Sequence, residues 1–157
     1  MTLPARSPRA SVTEMTELVL PQHSNALGTA FGGTVLAWMD VCGAIAAQRH
    51  CGRVAVTAAL DQVQFLAPIR VGDVVLLKGR VNAAFRSSVE IEVEVQVEEC
   101  STGNRRLAVD AFMTFVSVDE AGRPTDVPGL LLETADDQRR DREARARRQG
   151  RLASRSG

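Results

Sequence analysis

The stretch "FGGTVLAWMDVCGAIAAQ", Phe31 to Gln48, constrains the fold of this chain more than any other. From about Gly33 to Gln48 it reads as a helix that is apolar almost all the way round. Such a helix is stable only when other elements wrap it. Asp40 and then Arg49 interrupt it before the roughly 18 apolar residues that a membrane span needs, so no membrane insertion is expected. The wrapping must come from the rest of a 157-residue chain, with 45% apolar and 24% charged residues. That is enough for one domain with a real core.

The wrapping elements read as strands. "TEMTELVL", Thr13 to Leu20, is the first, and "PQHSNALG" is a turn-rich loop. "VAVTAALDQVQF" alternates through Val54, Val56, Ala58 and Leu60, then shifts phase to Val63 and Phe65, which predicts a bulge or sharp bend. "LAPIRVGD" is a turn region and "DVVLLKGRVNAAF" the next strand. In "SSVEIEVEVQVEE", Val89, Ile91, Val93, Val95 and Val97 take one face and Glu90, Glu92, Glu94, Gln96 and Glu98 the other. Strict period two predicts an amphipathic antiparallel strand. "STGN" turns the chain, and "RRLAVDAFMTFVSVD" returns as a last strand, apolar on parts of both faces, with surface left for another subunit to cover. The sum is an α+β fold: a single curved antiparallel sheet around one buried helix.

On a helical wheel, Gly33, Ala37, Asp40, Ala44 and Ala47 fall within roughly 40° of one line. Val35, Trp38, Met39, Cys42 and Ile45 lie opposite. The bulky side is expected to pack on the sheet. The slim side leaves room around its one functional group, a carboxylate, and is expected to face a cavity. Aspartate is a poor helix former, so its place deep in a helix wants an explanation. Either a buried partner or solvent satisfies Asp40, or it meets a ligand as general base or nucleophile. The glycines ahead of it favour a ligand: they allow close approach, and the first N–H groups of a helix have no internal acceptors and can hold a developing oxyanion. By helical rise Asp40 stands about 10 Å further along the axis. There is no nucleophile elbow, P-loop or dinucleotide fingerprint to compete.

Cys42, Cys51 and Cys100 form no CxxC pair, and His23 and His50 complete no zinc pattern. A reduced cytoplasmic protein without a metal is the simplest reading. Residues 1–11 have no apolar signal core and read as a disordered arm; the domain runs over 12–128, and 129–157 form an arginine-rich helix or tail. Net charge is zero, yet from Gln138 onward eight arginines face only Asp141 and Glu143, so the tail carries +6 and the rest −6. The tail lacks the aromatics of a nucleic-acid binder. It reads as a solvated helix that frays, or as a cationic surface for an anionic ligand or a neighbouring subunit.

In order along the chain, "HSNALGTAFGGTVLAWMD", "RHCGRVAVTAALDQVQFLAPIRVGDVV" and "RSSVEIEVEVQVEE" resemble the hotdog-fold acyl-CoA thioesterases of the cytosolic acyl-CoA hydrolase type, over about Pro21 to Asp119. The resemblance implies a hotdog fold, a dimer whose sheets join edge to edge, further assembly into a hexamer of three dimers, and active sites at the dimer interface. It implies hydrolysis of acyl-CoA, in fatty acid metabolism, to coenzyme A and a carboxylic acid, with no cofactor. It gives Asp40 the role of activating water or attacking the thioester, and Asn25 that of completing the site, from the other subunit. Gly32 and Gly33 would polarise the carbonyl, and Arg86, Ser87 and Ser88 would hold coenzyme A phosphates. Two departures stand out. His23 and Ser24 replace the family's common Asp-Thr before the asparagine, and Phe85 replaces a glycine before Arg-Ser-Ser. Asn25 also suits plain turn chemistry, and Arg86 a solvated hairpin. His23 keeps a hotdog dehydratase or hydratase in view, and the arginine-rich tail a non-catalytic acyl-CoA-binding protein.

Overall fold

The computed structural model describes residues 3–156. Met1 and Thr2 of the expected arm, and Gly157 of the expected tail, lie outside the described residues. Five strands form one antiparallel sheet: β1 (Thr13–Leu18), β2 (Ala55–Phe65), β3 (Val74–Ala84), β4 (Ser88–Glu98) and β5 (Arg105–Ser117), in the order β1-β3-β4-β5-β2. The long helix α1 (Gly32–Cys51) crosses its inner face, and a second helix, α2 (Ala135–Arg155), follows the last strand. The α1 helix stops at Gly52, whose left-handed φ of 68° lets its N–H bond the carbonyl of Gln48.

The inner face takes every second residue. Val89, Ile91, Val93, Val95 and Val97 of β4 are fully buried, together with Leu77 and Val81 of β3 and Met113 and Phe115 of β5. Met39, Cys42 and Ala46 of α1 pack into the same core. Contact is close enough that a Cβ on Gly43 would come within 2.9 Å of the Phe115 ring. The phase shift expected in β2 is present as register slips between Thr57 and Ala59 and between Asp61 and Gln64, with Gln62 at φ 52°.

The outer face departs from expectation. The glutamates of β4 do not all meet water, because α2 lies across them. Arg147 makes a two-pronged pair with Glu90, at 2.7 and 3.1 Å, and Glu90 is only 2% exposed. Arg140 pairs with Glu92, and Arg151 with Asp61 at 2.5 Å. The Arg147 guanidinium also stacks 3.6 Å above the ring of Phe112. So the arginines of α2 meet the acids of the sheet instead of fraying into solvent, and the opposed +6 and −6 of the two segments are partly neutralised across this seam. It also corrects the reading of β5: α2 takes up part of its outer apolar surface, at Phe112, where another subunit was expected.

Nor is the arm disordered over its described residues. Arg6 exchanges backbone hydrogen bonds with Gly129 and Leu131, at 2.9 and 2.8 Å. Residues Pro8–Ser11 form a short 3-10 turn, and the Ser11 hydroxyl accepts the N–H of Val81 at 3.0 Å. Arg9 pairs with Asp137, which caps α2 and also takes Arg80 at 2.9 Å. Burial alone would push the Asp137 carboxyl up; its bonds from Arg9, Arg80 and the Glu133 N–H outweigh that and hold it well below the usual range. Partners 70 to 128 residues away supply this order, and composition does not reveal them.

Candidate active site

Helix α1 presents two unlike sides. Val35, Met39 and Cys42 are buried as the wheel predicts, whereas Trp38 and Ile45 are half-buried. On the slim side Gly33 and Ala37 are exposed and Asp40 and Ala44 half-buried. Ala47 departs from the expected stripe: it is fully buried, since the helix by then has run under the sheet. Val41, next to Asp40, is half exposed. The expected cavity is thus, within one chain, an open strip of small residues.

Asp40 makes no ion pair among the described residues. Its Oδ1 accepts the hydroxyl of Thr57 from β2, at 2.5 Å. This threonine is a candidate site residue that the sequence reading missed; its one signal is a hydroxyl inside the apolar run "VAVTAAL". At the start of α1, the N–H groups of Thr34 and Val35 bond the carbonyl of Phe31, while those of Gly32 and Gly33 have no acceptor among the described residues. A Cβ on Gly33 would meet nothing within 4 Å. Two free donors at a positive helix end suit a carbonyl oxygen that gains charge. Beside them an apolar groove of about 330 Å³ is lined by Thr29, Ala30, Gly32, Val35, Phe65 and Leu66, among others. Asp40 does not line it.

The remaining expected residues lie apart from Asp40. Asn25 performs turn chemistry: its Oδ1 accepts from the N–H of Leu27 at 2.9 Å, and its Nδ2 donates to the Thr29 hydroxyl at 2.8 Å. No hydrogen bond joins it to Asp40 among the described residues. Arg86, Ser87 and Ser88 close the β3–β4 hairpin. The Arg86 side chain is 91% exposed and lies 3.6 Å from Asp126, and the two serine hydroxyls make no bond among the described residues. His23 is held for structure: Nδ1 accepts the N–H of Leu20 at 3.0 Å, and the ring meets Trp38 edge-on. Burial pushes the thiols of Cys42 and Cys51 up to about 11, which leaves them poor nucleophiles. His50 is buried, with Nε2 donating to the carbonyl of Pro128 at 2.8 Å.

A family model described as the thioesterase superfamily matches residues 27–103. An uncharacterized acyl-CoA thioester hydrolase of Bacillus subtilis is 41% identical over 78% of this chain and 71% of its own length. The chain belongs to the hotdog-fold acyl-CoA thioesterase family. Mouse acyl-coenzyme A thioesterase 11 is 40% identical over 88% of this chain, which spans only 24% of that protein's length. Among solved structures, an apo-hexameric acyl-CoA thioesterase superposes with a TM-score of 0.92 at 38% identity, covering 97% of both chains. An acyl-CoA hydrolase of Staphylococcus aureus, in complex with butyryl coenzyme A, coenzyme A and coenzyme A disulfide, gives 0.89 at 35% identity, covering 97% of this chain and 93% of that one. Its solved variants include single replacements of an asparagine, an aspartate and a threonine by alanine. Within the family's common pattern, the two departures at His23 and Phe85 both have structural partners here: Leu20 and Trp38 for the first, helix α2 for the second.

Proposed function

We propose that this chain hydrolyses acyl-CoA thioesters to free coenzyme A and a carboxylic acid, with Asp40 at the centre of the chemistry. The observation that carries the proposal is Asp40 itself: a mid-helix carboxylate on an open strip of small residues, oriented by Thr57 and bound by no described cation. Water deprotonated by Asp40 attacks the thioester carbon, or the carboxylate attacks it directly and water resolves the anhydride. The N–H groups of Gly32 and Gly33 hold the carbonyl oxygen as it becomes negative. The C–S bond breaks, the proton taken from water passes to the sulfur, and the acid departs. The scheme requires no metal or redox cofactor.

The spacing of the three Staphylococcus aureus variants supports this set. Their positions are fifteen and seventeen residues apart, as are Asn25, Asp40 and Thr57.

Two copies are needed. Reacting atoms must come within about 3–3.5 Å, yet Gly33 and Asp40 stand about 10 Å apart on one rigid helix. The carbonyl held at Gly33 of one copy is therefore attacked at Asp40 of another. The edge that joins them is β2, an outer strand of eleven residues paired on one side only, whose Val56, Leu60 and Phe65 are exposed, with Val54 just ahead of it. A long apolar edge is a pairing template. Asn25 enters from the second copy, and the hexameric relatives extend the proposal to three dimers. The three free cysteines and the lack, among the described residues, of a membrane-crossing helix are compatible with the cytoplasm.

The test is free-thiol release over a panel of acyl-CoAs, for the native chain and for His23→Ala. Turnover on at least one member, kept within about threefold by the histidine variant, is expected. No turnover on any member refutes hydrolysis. Loss of thiol release with His23→Ala at unchanged stability would instead make His23 part of the hydrolytic machinery, and dehydratase chemistry predicts no thiol release from the native chain at all.

A further inference from the structure

Phe85, where the family commonly has glycine, has two guanidinium groups of α2 over its ring. Arg148 lies 4.5 Å and Arg145 5.3 Å from the ring centre. The next residue is Arg86. We propose that Arg145 and Arg148, presented by Phe85, form with Arg86 a binding site for the phosphates on the nucleotide end of coenzyme A. The inference rests on the acyl-CoA reading above and extends it to a helix that lies beyond the matched residues 27–103.

Not all arginines of α2 serve its docking on the sheet. Arg140, Arg147 and Arg151 face the sheet and pair with Glu92, Glu90 and Asp61. Arg148 makes no ion pair among the described residues. Arg145 has Asp141 at 3.0 Å and reaches the carbonyl of Ala84 at 3.4 Å. Among the described residues Arg86 has only Asp126, itself 75% exposed. The Arg86–Asp126 pair is exposed on both sides and the Arg145–Asp141 pair on its arginine side, and pairs this open to water are weak and exchange for a better anion. Three guanidiniums against two carboxylates leave the cluster positive. A guanidinium stacked on a ring keeps its N–H edge free for two-pronged phosphate binding, and stacking pre-orients it. The free hydroxyls of Ser87 and Ser88 add donors.

The cluster lies at the right end of the sheet. Ser88 pairs with Val116, and Val116 with Val56, the neighbour of Thr57. Two strand spacings put Ser88 about 10 Å from Val56. The long pantetheine arm can span from this cluster to the carboxylate that Thr57 touches.

The test is calorimetric titration of the full chain with coenzyme A, 3′-dephospho-coenzyme A and pantetheine. The double variant Arg145→Ala/Arg148→Ala is expected to weaken coenzyme A about tenfold and to leave pantetheine unchanged. With the best acyl-CoA of the panel, KM should rise by the same factor at a kcat within twofold. Arg148→Lys should recover part of the loss. If native binding already weakens tenfold with 3′-dephospho-coenzyme A, the 3′-phosphate is the group held; if only the variant weakens it, the diphosphate is. Coenzyme A affinity within twofold of native in the double variant, or an equal loss for pantetheine, overturns the inference. Hydrolysis by the native chain in that case leaves the proposed function standing. A native chain that binds coenzyme A through these arginines but never hydrolyses an acyl-CoA removes the proposed function and leaves the site.

Discussion

Replacing Glu90 by alanine should damage the fold far more than its place on the nominal solvent face of β4 suggests. Glu90 is 2% exposed, and the Arg147 side chain 12%. The pair is two-pronged, and Asn82 Nδ2 adds a third bond at 3.3 Å. Removing the carboxylate leaves a largely buried guanidinium over Phe112 without its hydrogen-bonded partner, which costs about 3–5 kcal/mol in comparable sites. For a chain of this size each kcal/mol shifts the melting temperature by about 2–4 °C, so a drop of roughly 6–20 °C is expected. Asp141→Ala, which removes the exposed pair with Arg145, should cost about 0.5 kcal/mol. The double variant Glu90→Leu/Arg147→Met should recover most of the loss, because well-packed apolar residues replace a buried pair at little cost. Melting followed by circular dichroism, at one fixed chain concentration, reads all three. A Glu90→Ala melt within about 2 °C of that of Asp141→Ala would refute the view that α2 is docked through buried charge.

Other consequences follow from the same packing. Burial, then the charge and hydrogen bond of Glu92, push the Asp110 carboxyl up to about 6. Since the folded chain holds that proton more tightly than the unfolded one, Asp110 favours folding below about pH 4 and loses that contribution as pH rises through about 6. Asp110→Asn should therefore raise the melting temperature at pH 8 and flatten its change between pH 4 and 6. Thr57→Ala should lower kcat about tenfold, the size of one lost charge-assisted bond, with KM within twofold, and Thr57→Ser should restore it. Gly43→Ala drives a methyl into the buried Phe115 ring at 2.9 Å and should cost about 1–3 kcal/mol in a denaturant titration.

The sheet and α1 were legible because each carries its own period. Val89 to Val97 alternate without a break, and the apolar shell of α1 demands a wrapping, so the strands around it follow. Asp40 was legible as an anomaly, a carboxylate where apolar residues surround it. Thr57 was not, because a threonine in a strand is ordinary and only the fold brings its hydroxyl to Asp40. The docking of α2 was hidden for a similar reason. Arg140 and Glu92 are 48 residues apart, and the pairing of two charged rows has no signature in either row alone. The equal and opposite charges of the two segments were the only hint. The arm failed as disorder because Arg6 and Arg9 find their partners at residues 129–137.

Chemistry at the small-residue strip of α1 is tested most directly by kcat for acyl-CoA hydrolysis in Asp40→Asn, with the melting temperature measured alongside. A fall of at least about a hundredfold, with melting within about 2 °C of the native chain, is the expected result. Turnover within threefold of native in a folded Asp40→Asn chain would place the reaction somewhere other than this carboxylate.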